Sequence, residues 1–398
     1  MKIFFMTTHP AQGTGYALVA NKITNFLASQ PDVEVVFYGF QNYKNQQVVD
    51  RFIDPRIKFY DAIEIDAESP RGFGDKGIIP AITEEKPDVL FLYNDLPVTN
   101  AIMRLIPQEV MPPKAYVYLD IVYPWQNISM YNELKTFKID KIITFAERWR
   151  KHMVDDLGFP KEQIDYMYHG VDFERFSPLD NKEAKKLLGV DEDDFVVVNM
   201  NRNSYRKMIP KTLEAFMIFL KMNDMNKKIK LYLGCTMDAS DSCNIPMTVD
   251  KICMQMKINP EDISENIIVS ASPSRMTDEF VNVIYNAGDV GINTCCGEGF
   301  GLTNVEHLYL NKTQVVPGIP ILKEIFDDKA IFVKPVIQMT MFNFEKHTGD
   351  ISICSSLDFA LQLDKCFKEK LTETRGKEYV HTKYSWSQME DKLKQIML

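Results

Sequence analysis

The chain has 398 residues, a formal net charge of −9, and 45% hydrophobic and 25% charged residues. This length exceeds one ordinary core and predicts two domains of about 150–200 residues each. The acidic excess argues against a strongly basic face for nucleic acid or anionic lipid. No apolar stretch approaches the roughly 20 residues of a membrane span, and seven scattered cysteines favour reduced thiols. We expect a cytoplasmic protein that binds no nucleic acid, with peripheral membrane contact left open.

The first half of the chain alternates strand-like and helix-like runs. The apolar run Lys2–Thr7 is followed by a glycine turn and by Tyr16–Ser29, whose apolar residues recur at helical spacing. Further buried strands are predicted, with helical stretches between most of them, at Glu34–Gly39, Asp88–Asn94, Lys114–Ile121 and Lys141–Phe145. This alternation is typical of a parallel sheet covered on both faces.

The same alternation restarts after His169–Asp172, where a glycine and a turn-forming aspartate interrupt the periodicity. Phe195–Met200 is predicted as a strand and Pro210–Met222 as a helix. Later strands are predicted at Ile229–Leu233, Ile267–Val269, Val290–Ile292 and Val315–Val316. The predicted fold class is α/β, with two Rossmann-like, doubly wound domains facing across a cleft.

The strongest ligand-binding candidate is the segment Gly297–Glu306. Its three glycines let the backbone bend and approach a ligand, and a helix predicted to begin near Leu302 would point N–H groups at an anion such as diphosphate. Glu306, one turn into that helix, would suit a ribose diol, and Glu298 could reach sugar hydroxyls. A capped glycine loop with Glu306 on a solvated face would show the same spacing.

A basic segment, Asn201–Lys207, lies at the carboxyl end of the strand Phe195–Met200. Arginine offers a planar fork for phosphate oxygens and lysine a mobile charge, so together they could stabilise a departing diphosphate. The alternative is a solvated basic loop.

Two weaker candidates lie in the first half. Gly13 and Gly15 could admit phosphate or acceptor close to the backbone, although a plain strand–helix turn would look the same. Asp120 ends a strand near aromatic residues and could contact a sugar or cap a turn. Leu18 stands where the dinucleotide fingerprint needs a third glycine, which disfavours an NAD-dependent enzyme. The histidines show no metal-ligand spacing, so no metal is predicted.

Together these segments resemble the family-four class of retaining glycosyltransferases, which have the GT-B fold of two Rossmann-like domains. Glu298 and Glu306 match the family's glutamate pair, and Arg202 and Lys207 match its basic pair. Further similar segments are the interdomain signature His169–Phe176, the approach to the glutamate motif Tyr285–Val290, and the start of a terminal helix at Ser385–Trp386. The implied domains are residues 1–172 for the acceptor, 173–378 for the nucleotide sugar, and a terminal helix, 379–398, that crosses back onto the first domain.

The resemblance implies a role for each candidate. Many relatives carry a histidine where this chain has Asp120, which is therefore taken as its replacement. The implied catalytic residues are Glu298, Arg202, Lys207 and Asp120. The implied donor-binding residues are Gly13, Gly15, Ser270, Gly299, Phe300, Gly301, Leu302, Thr303 and Glu306, with the base near Val269–Ala271.

The predicted function is metal-independent, retaining transfer of a hexose from a nucleotide sugar to a glycan or glycan-like acceptor. The family's habits favour GDP-mannose as donor, then a UDP-sugar, and no cofactor beyond this co-substrate. A sugar-nucleotide epimerase or a phosphorylase on the same fold remains an alternative. So does a non-catalytic protein that binds sugar nucleotides.

Overall fold

The computed structural model describes residues 1–43, 49–69, 71–238, 242–270, 276–344 and 347–397. The chain divides into two compact units. Unit 1 contains Met1–Gly170, Phe342–Gly349 and Ser387–Leu398, and unit 2 contains Val171–Met341 and Asp350–Trp386. The chain therefore enters unit 1 three times.

Unit 1 is built on a parallel sheet whose strands are β1 (Lys2–Thr8), β2 (Glu34–Phe40), β3 (Lys58–Asp61), β4 (Val89–Asp95), β5 (Lys114–Asp120), β6 (Lys141–Thr144) and β7 (Ile164–Tyr166). Their order is β3-β2-β1-β4-β5-β6-β7. The central strands are continuous runs of large apolar residues, as expected for strands buried on both faces. Its helices are α1 (Gly15–Ser29), α2 (Ala62–Ile65), α3 (Asp75–Glu85), α4 (Leu96–Leu105), α5 (Ile128–Leu134) and α6 (Glu147–Lys151), and α6 runs into a π-helical turn, His152–Asp156.

Unit 2 repeats the same plan. Its parallel sheet contains β8 (Phe195–Asn199), β9 (Ile229–Leu233), β10 (Ile267–Val269), β11 (Val290–Ile292), β12 (Thr313–Pro317) and β13 (Ile331–Val333), in the order β10-β9-β8-β11-β12-β13. Its helices are α7 (Asn181–Leu188), α8 (Ile209–Met222), α9 (Ile245–Met256), α10 (Asp278–Ala287), α11 (Leu302–Tyr309), α12 (Pro320–Phe326), α13 (Ser356–Glu369) and α14 (Gly376–Lys383), with short 3₁₀ turns at Tyr205–Lys207 and Pro260–Ile263.

A two-stranded sheet and the last helix each contain residues of both units. The strands β14 (Pro335–Phe344) and β15 (His347–Cys354) form a two-stranded sheet, whose Phe342–Gly349 portion belongs to unit 1. The last helix, α15 (Trp386–Met397), buries Met389, Leu393 and Met397, and Lys392 pairs with Asp165 of unit 1 at 2.8 Å. The sequence prediction began this segment at residue 379, whereas residues 379–383 lie in α14 of unit 2.

The prediction of two successive α/β domains with parallel sheets is confirmed. Both sheets have the doubly wound order, in which the chain builds outward from a central strand and then reverses direction. The reversal lies between β1 and β4 in unit 1 and between β8 and β11 in unit 2. Ligands of such sheets bind beyond the carboxyl ends of the strands at this point. Among the described residues, no helix combines the length and apolarity needed to cross a bilayer.

Candidate active site

The two strongest sequence candidates meet at the reversal point of unit 2. Strands β8 and β11 are hydrogen-bonded neighbours, with Val197 opposite Val290. Their carboxyl ends therefore lie side by side, and each continues directly into a candidate segment. The basic segment follows β8, and the glycine-rich segment follows β11. The fold thus brings together residues about 90 positions apart in sequence, as the spacing Arg206–Glu298 shows.

A buried carboxylate between two cations forms the centre of this site. Glu298 is 4% exposed. Its Oε1 accepts a hydrogen bond from Arg206 Nη1 at 2.7 Å, and its Oε2 pairs with Lys207 Nζ. Arg206 Nη1 also donates to the Gly297 carbonyl at 3.0 Å. We call Arg206, Lys207 and Glu298 the ionic cluster.

The cluster holds Glu298 ionised. Burial would by itself raise the pKa of Glu298, but the charges of Arg206 and Lys207 outweigh it and lower that pKa to about 2. The carboxylate is therefore charged and fixed at any physiological pH. The Gly299 N–H adds a hydrogen bond to the same carboxylate at 3.2 Å.

A buried polar network fixes the loop that carries the two cations. The Thr294 hydroxyl donates to the carbonyls of Lys207 and Met208, and it also pairs with the Thr212 hydroxyl at 2.7 Å. The Asn199 amide donates to Thr212, and the Cys296 N–H donates to the Arg206 carbonyl. The loop after β8 is thus tied directly to the segment after β11, which fixes the cations relative to Glu298.

The glycine turn leads into the head of α11. Gly301 has φ of +91° and stands at the helix N-cap, without a side-chain cap. Leu302 and Thr303 are the first helical residues, so their N–H groups have no partner within the helix. The unsatisfied donors and the positive end of the helix dipole make this a suitable place for phosphate. Phe300, within the turn, is buried and packs edge-on against Tyr384.

Gly301→Ala should destabilise the protein by about 1–2 kcal/mol, since the left-handed backbone penalises any Cβ. The added Cβ would also lie 3.3 Å from Leu322, closer than usual contact. Gly189→Ala is the matched control: it is another helix-end glycine with positive φ, but its added Cβ meets nothing within 4 Å. Urea denaturation should show the larger loss for Gly301→Ala. Equal losses would mean that only the backbone angle matters at Gly301.

The second glutamate, Glu306, is buried and does not lie on a solvated face. The Tyr285 hydroxyl donates to its Oε2 at 3.0 Å, and Arg175 Nη1 lies 3.6 Å from its Oε1. Burial raises the pKa of Glu306 to about 6, and the nearby Arg175 charge only partly offsets this. The two glutamates of one motif therefore differ in character, because Glu298 is ionised at physiological pH whereas Glu306 has a pKa of about 6.

The candidates of unit 1 lie at the carboxyl edge of its own sheet, after β1 and β5. Asp120 ends β5, and its Oδ2 accepts a hydrogen bond from the Tyr16 hydroxyl at 2.7 Å. Tyr16 stands at the start of α1, next to Gly15, and stacks on Tyr93. Gly13 and Gly15 are exposed, and a Cβ on Gly15 would meet nothing within 4 Å. The protein's own packing therefore does not require glycine at position 15.

Two sequence candidates, Arg202 and Ser270, remain to be placed. Arg202 is exposed, in contrast to Lys207. Ser270 follows β10, two strands from β8, and is partly buried; Ala271 lies outside the described residues. Among the described residues, no group of three or more histidines, cysteines, aspartates or glutamates could hold a metal ion.

Sequence reasoning missed Arg206, Arg175 and Tyr285 as members of the site. Arg206 stands directly beside Lys207, where no spacing distinguishes it from any other loop arginine. Arg175 and Tyr285 lay inside segments already considered similar to the family, but their contacts to Glu306 bridge 131 and 21 positions and depend on the fold.

Comparison with solved structures decides the fold. Sucrose-phosphate synthase from Thermosynechococcus elongatus superposes with a TM-score of 0.74 at 12% identity, over 99% of this chain and 98% of its own. HepE of Anabaena, in complex with UDP-glucose, superposes with a TM-score of 0.68 at 13% identity, over 100% of this chain and 99% of its own. A glycosyltransferase from Rickettsia africae superposes with a TM-score of 0.67 at 16% identity, over 99% of this chain and 97% of its own. This chain has the GT-B fold.

The GT-B likeness spans the whole chain, although sequence identity is low. No family model and no curated protein matches the sequence. The likeness to GT-B proteins is therefore one of architecture.

Proposed function

We propose that the protein is a retaining, metal-independent glycosyltransferase that uses a nucleotide sugar as donor. The observation that carries the proposal is the ionic cluster beside the head of α11. A buried, ionised glutamate, two cations and a helix N-terminus converge at the carboxyl edge of a doubly wound sheet. This combination provides acceptors for sugar hydroxyls beside donors for a diphosphate, which are the two halves of a nucleotide sugar.

Each part of the donor has a candidate partner. The diphosphate would lie against the N–H groups of Leu302 and Thr303, with Arg202 and Lys207 neutralising its charge. The ribose diol would bind Glu306, and the sugar would bind Glu298. Gly13 and Gly15 are the candidates from unit 1. Both are exposed, and packing does not require glycine at position 15, which leaves the backbone there open to a ligand. Asp120 stays a candidate for contact with the reacting groups.

The transfer step exchanges one glycosidic bond for another. The acceptor oxygen forms a bond to the anomeric carbon as the bond from that carbon to the diphosphate oxygen breaks, on the same face of the sugar. The acceptor proton passes to the departing phosphate. Arg202 and Lys207 would stabilise the negative charge that develops there, and most of the rate would come from positioning and electrostatics.

The donor base and sugar are part of the proposal. Sequence resemblance favoured GDP-mannose, with a UDP-sugar second. HepE is recorded with UDP and UDP-glucose, and another structural neighbour, from E. coli, with UDP-2-fluoro glucose. These neighbours support placing a UDP-hexose beside GDP-mannose as a leading donor. The acceptor is a glycan or glycan-like molecule.

The test is calorimetric titration of the wild type and Arg202→Ala with GDP, UDP and ADP and with their common sugars. We expect one nucleotide family to bind, and Arg202→Ala to weaken it. Arg56→Ala is the matched control, because Arg56 is also exposed and belongs to unit 1, where it pairs with Asp54. Absence of binding by every nucleotide would refute the donor site. Release of nucleoside diphosphate only with acceptor present distinguishes transfer from epimerisation or phosphorolysis.

Affinity for the sugar nucleotide should fall as the pH drops through about 6, the pKa of Glu306. Only the carboxylate accepts two hydrogen bonds from a diol, so protonation weakens binding, by at most about tenfold per pH unit below the pKa. Glu306→Gln should bind more weakly and lose this pH dependence. The intact sugar nucleotide is the ligand of choice, since a free terminal phosphate itself titrates near 6. A wild-type Kd that stays constant from about pH 8 to 5 would contradict the role of Glu306.

A further inference from the structure

The loop after β5, residues 121–127, carries an exposed tryptophan in an unfavourable backbone conformation. Trp125 has φ of +55° and Asn127 has φ of +46°. Bulky residues rarely adopt this left-handed region, and where they do the surrounding structure must hold them there. Trp125 is also 39% exposed, whereas Trp149 is 2% exposed. An apolar ring at the surface and a strained backbone are both costs to folding.

A buried histidine contacts the backbone and the ring of Trp125. The Trp125 N–H donates to Nε2 of His152 at 3.0 Å, and Nδ1 of His152 pairs with Asp156 Oδ2 at 2.6 Å. Since Nε2 accepts, the imidazole hydrogen lies on Nδ1 and is directed at the carboxylate. His152 is fully buried, and its ring meets the Trp125 ring edge-on at 5.4 Å. It opens the π-helical turn, an irregularity that is common at functional sites.

A second support comes from the residues of β15 that belong to unit 1. The Asn127 N–H donates to Thr348 Oγ1 at 3.1 Å. Gly349 lies so close to the loop that a Cβ there would be 2.6 Å from Tyr123 Cβ. The loop is therefore held from two sides, by segments distant from it in sequence.

The chemistry of the loop indicates its ligand. It runs Ile121-Val122-Tyr123-Pro124-Trp125-Gln126-Asn127 and contains no charged residue. It follows Asp120 at the carboxyl edge of the sheet, where ligands of this fold class bind. A flat, exposed aromatic ring on an uncharged loop suits a neutral ligand with an apolar face. Sugar rings have that character, whereas an anion would call for basic residues.

We propose that Trp125 is a stacking platform for a sugar ring of the acceptor, positioned by His152 and Asp156. As an acceptor subsite this rests on the proposed transferase function. As a carbohydrate site it does not, because stacking on Trp125 requires no donor.

Iodide quenching of tryptophan fluorescence tests the platform. The methyl glycosides of glucose, mannose and galactose, and N-acetylglucosamine, serve as probes. We expect at least one to reduce quenching in the wild type and in the control Trp386→Phe, but not in Trp125→Ala. Trp125→Phe, which keeps an aromatic face, should retain affinity for that sugar by calorimetry, whereas Trp125→Ala should lose about tenfold or more.

Several outcomes would overturn the platform. One is no shielding by any probe in the wild type. Another is equal shielding in Trp125→Ala. A third is a blue shift of Trp125 emission with phosphatidylcholine–phosphatidylglycerol vesicles but no response to sugars, which would assign the loop to a membrane surface. Nucleotide titrations of the wild type report on the donor site separately. Shielding by a sugar without nucleotide binding would support the carbohydrate site at Trp125 and refute the transferase. Nucleotide binding without shielding by any sugar would support the donor site and overturn the platform.

Discussion

Glu298→Gln should lower the free energy of unfolding by about 3 kcal/mol, although it removes no packing volume. The substitution leaves Arg206 and Lys207 without their anion, and breaking one side of a buried ion pair costs about 3–5 kcal/mol. The lower end is expected because Arg206 is partly exposed, with 26% of its side chain accessible. Chemical denaturation at neutral pH measures the loss, and Glu265→Gln, an exposed glutamate of unit 2, should show little change.

The pH dependence of the same measurement identifies the cause. Glu298 has a folded-state pKa of about 2, below its ordinary value of 4.5, so its contribution is present above about 4.5 and disappears as the pH falls toward 2. The stability difference between wild type and Glu298→Gln should therefore shrink over that range. The double variant Glu298→Gln with Lys207→Met should be more stable than the single variant, since one stranded cation is gone. A single variant as stable as the wild type would refute the cluster.

Arg202→Ala should reduce turnover by about 10²–10³-fold, as loss of a donor to a developing negative charge does in other enzymes. Because Arg202 is exposed, unlike the cations of the ionic cluster, its removal should leave thermal unfolding nearly unchanged. Initial rates with the donor and acceptor identified by titration give the measurement. Arg56→Ala should retain wild-type turnover. A loss of less than a few-fold would remove Arg202 from the catalytic set and leave the charge to Lys207 and Arg206.

The fold was predictable where burial leaves a strong pattern. β1 and β8 are continuous apolar runs because both faces of a central strand are covered, and such runs are visible in sequence. The strands that were missed are three edge strands of the parallel sheets and the separate two-stranded sheet of β14 and β15. β3, β7 and β13 have three or four residues each, too few to show a period.

The sequence motifs of the site were predictable, but the hydrogen-bond and ion-pair partners of its glutamates were not. The glycine turn and the two glutamates are local, since the backbone angle at Gly301 and the first turn of α11 follow from adjacent residues. The partners of the glutamates are set by which strands are neighbours. Glu298 pairs with Arg206 because β8 lies beside β11, and that adjacency is a property of the doubly wound sheet. The environment of Glu306, and hence its raised pKa, depends in the same way on Tyr285 and Arg175.

Unit 1 is assembled from three separate stretches of chain, and this dictates an order of events during synthesis. Residues 1–170 leave the ribosome before unit 2, but the apolar side chains Met389, Leu393 and Met397 of the same unit emerge only after unit 2. Unit 2 has one interruption, and its sheet is complete once β13 has emerged. While unit 2 is synthesised, residues 1–170 therefore expose the apolar surface that α15 later covers. Such exposed surface favours aggregation and chaperone binding. Nascent chains stalled before residue 387 should be protease-sensitive in unit 1, and synthesis of α15 should remove that sensitivity.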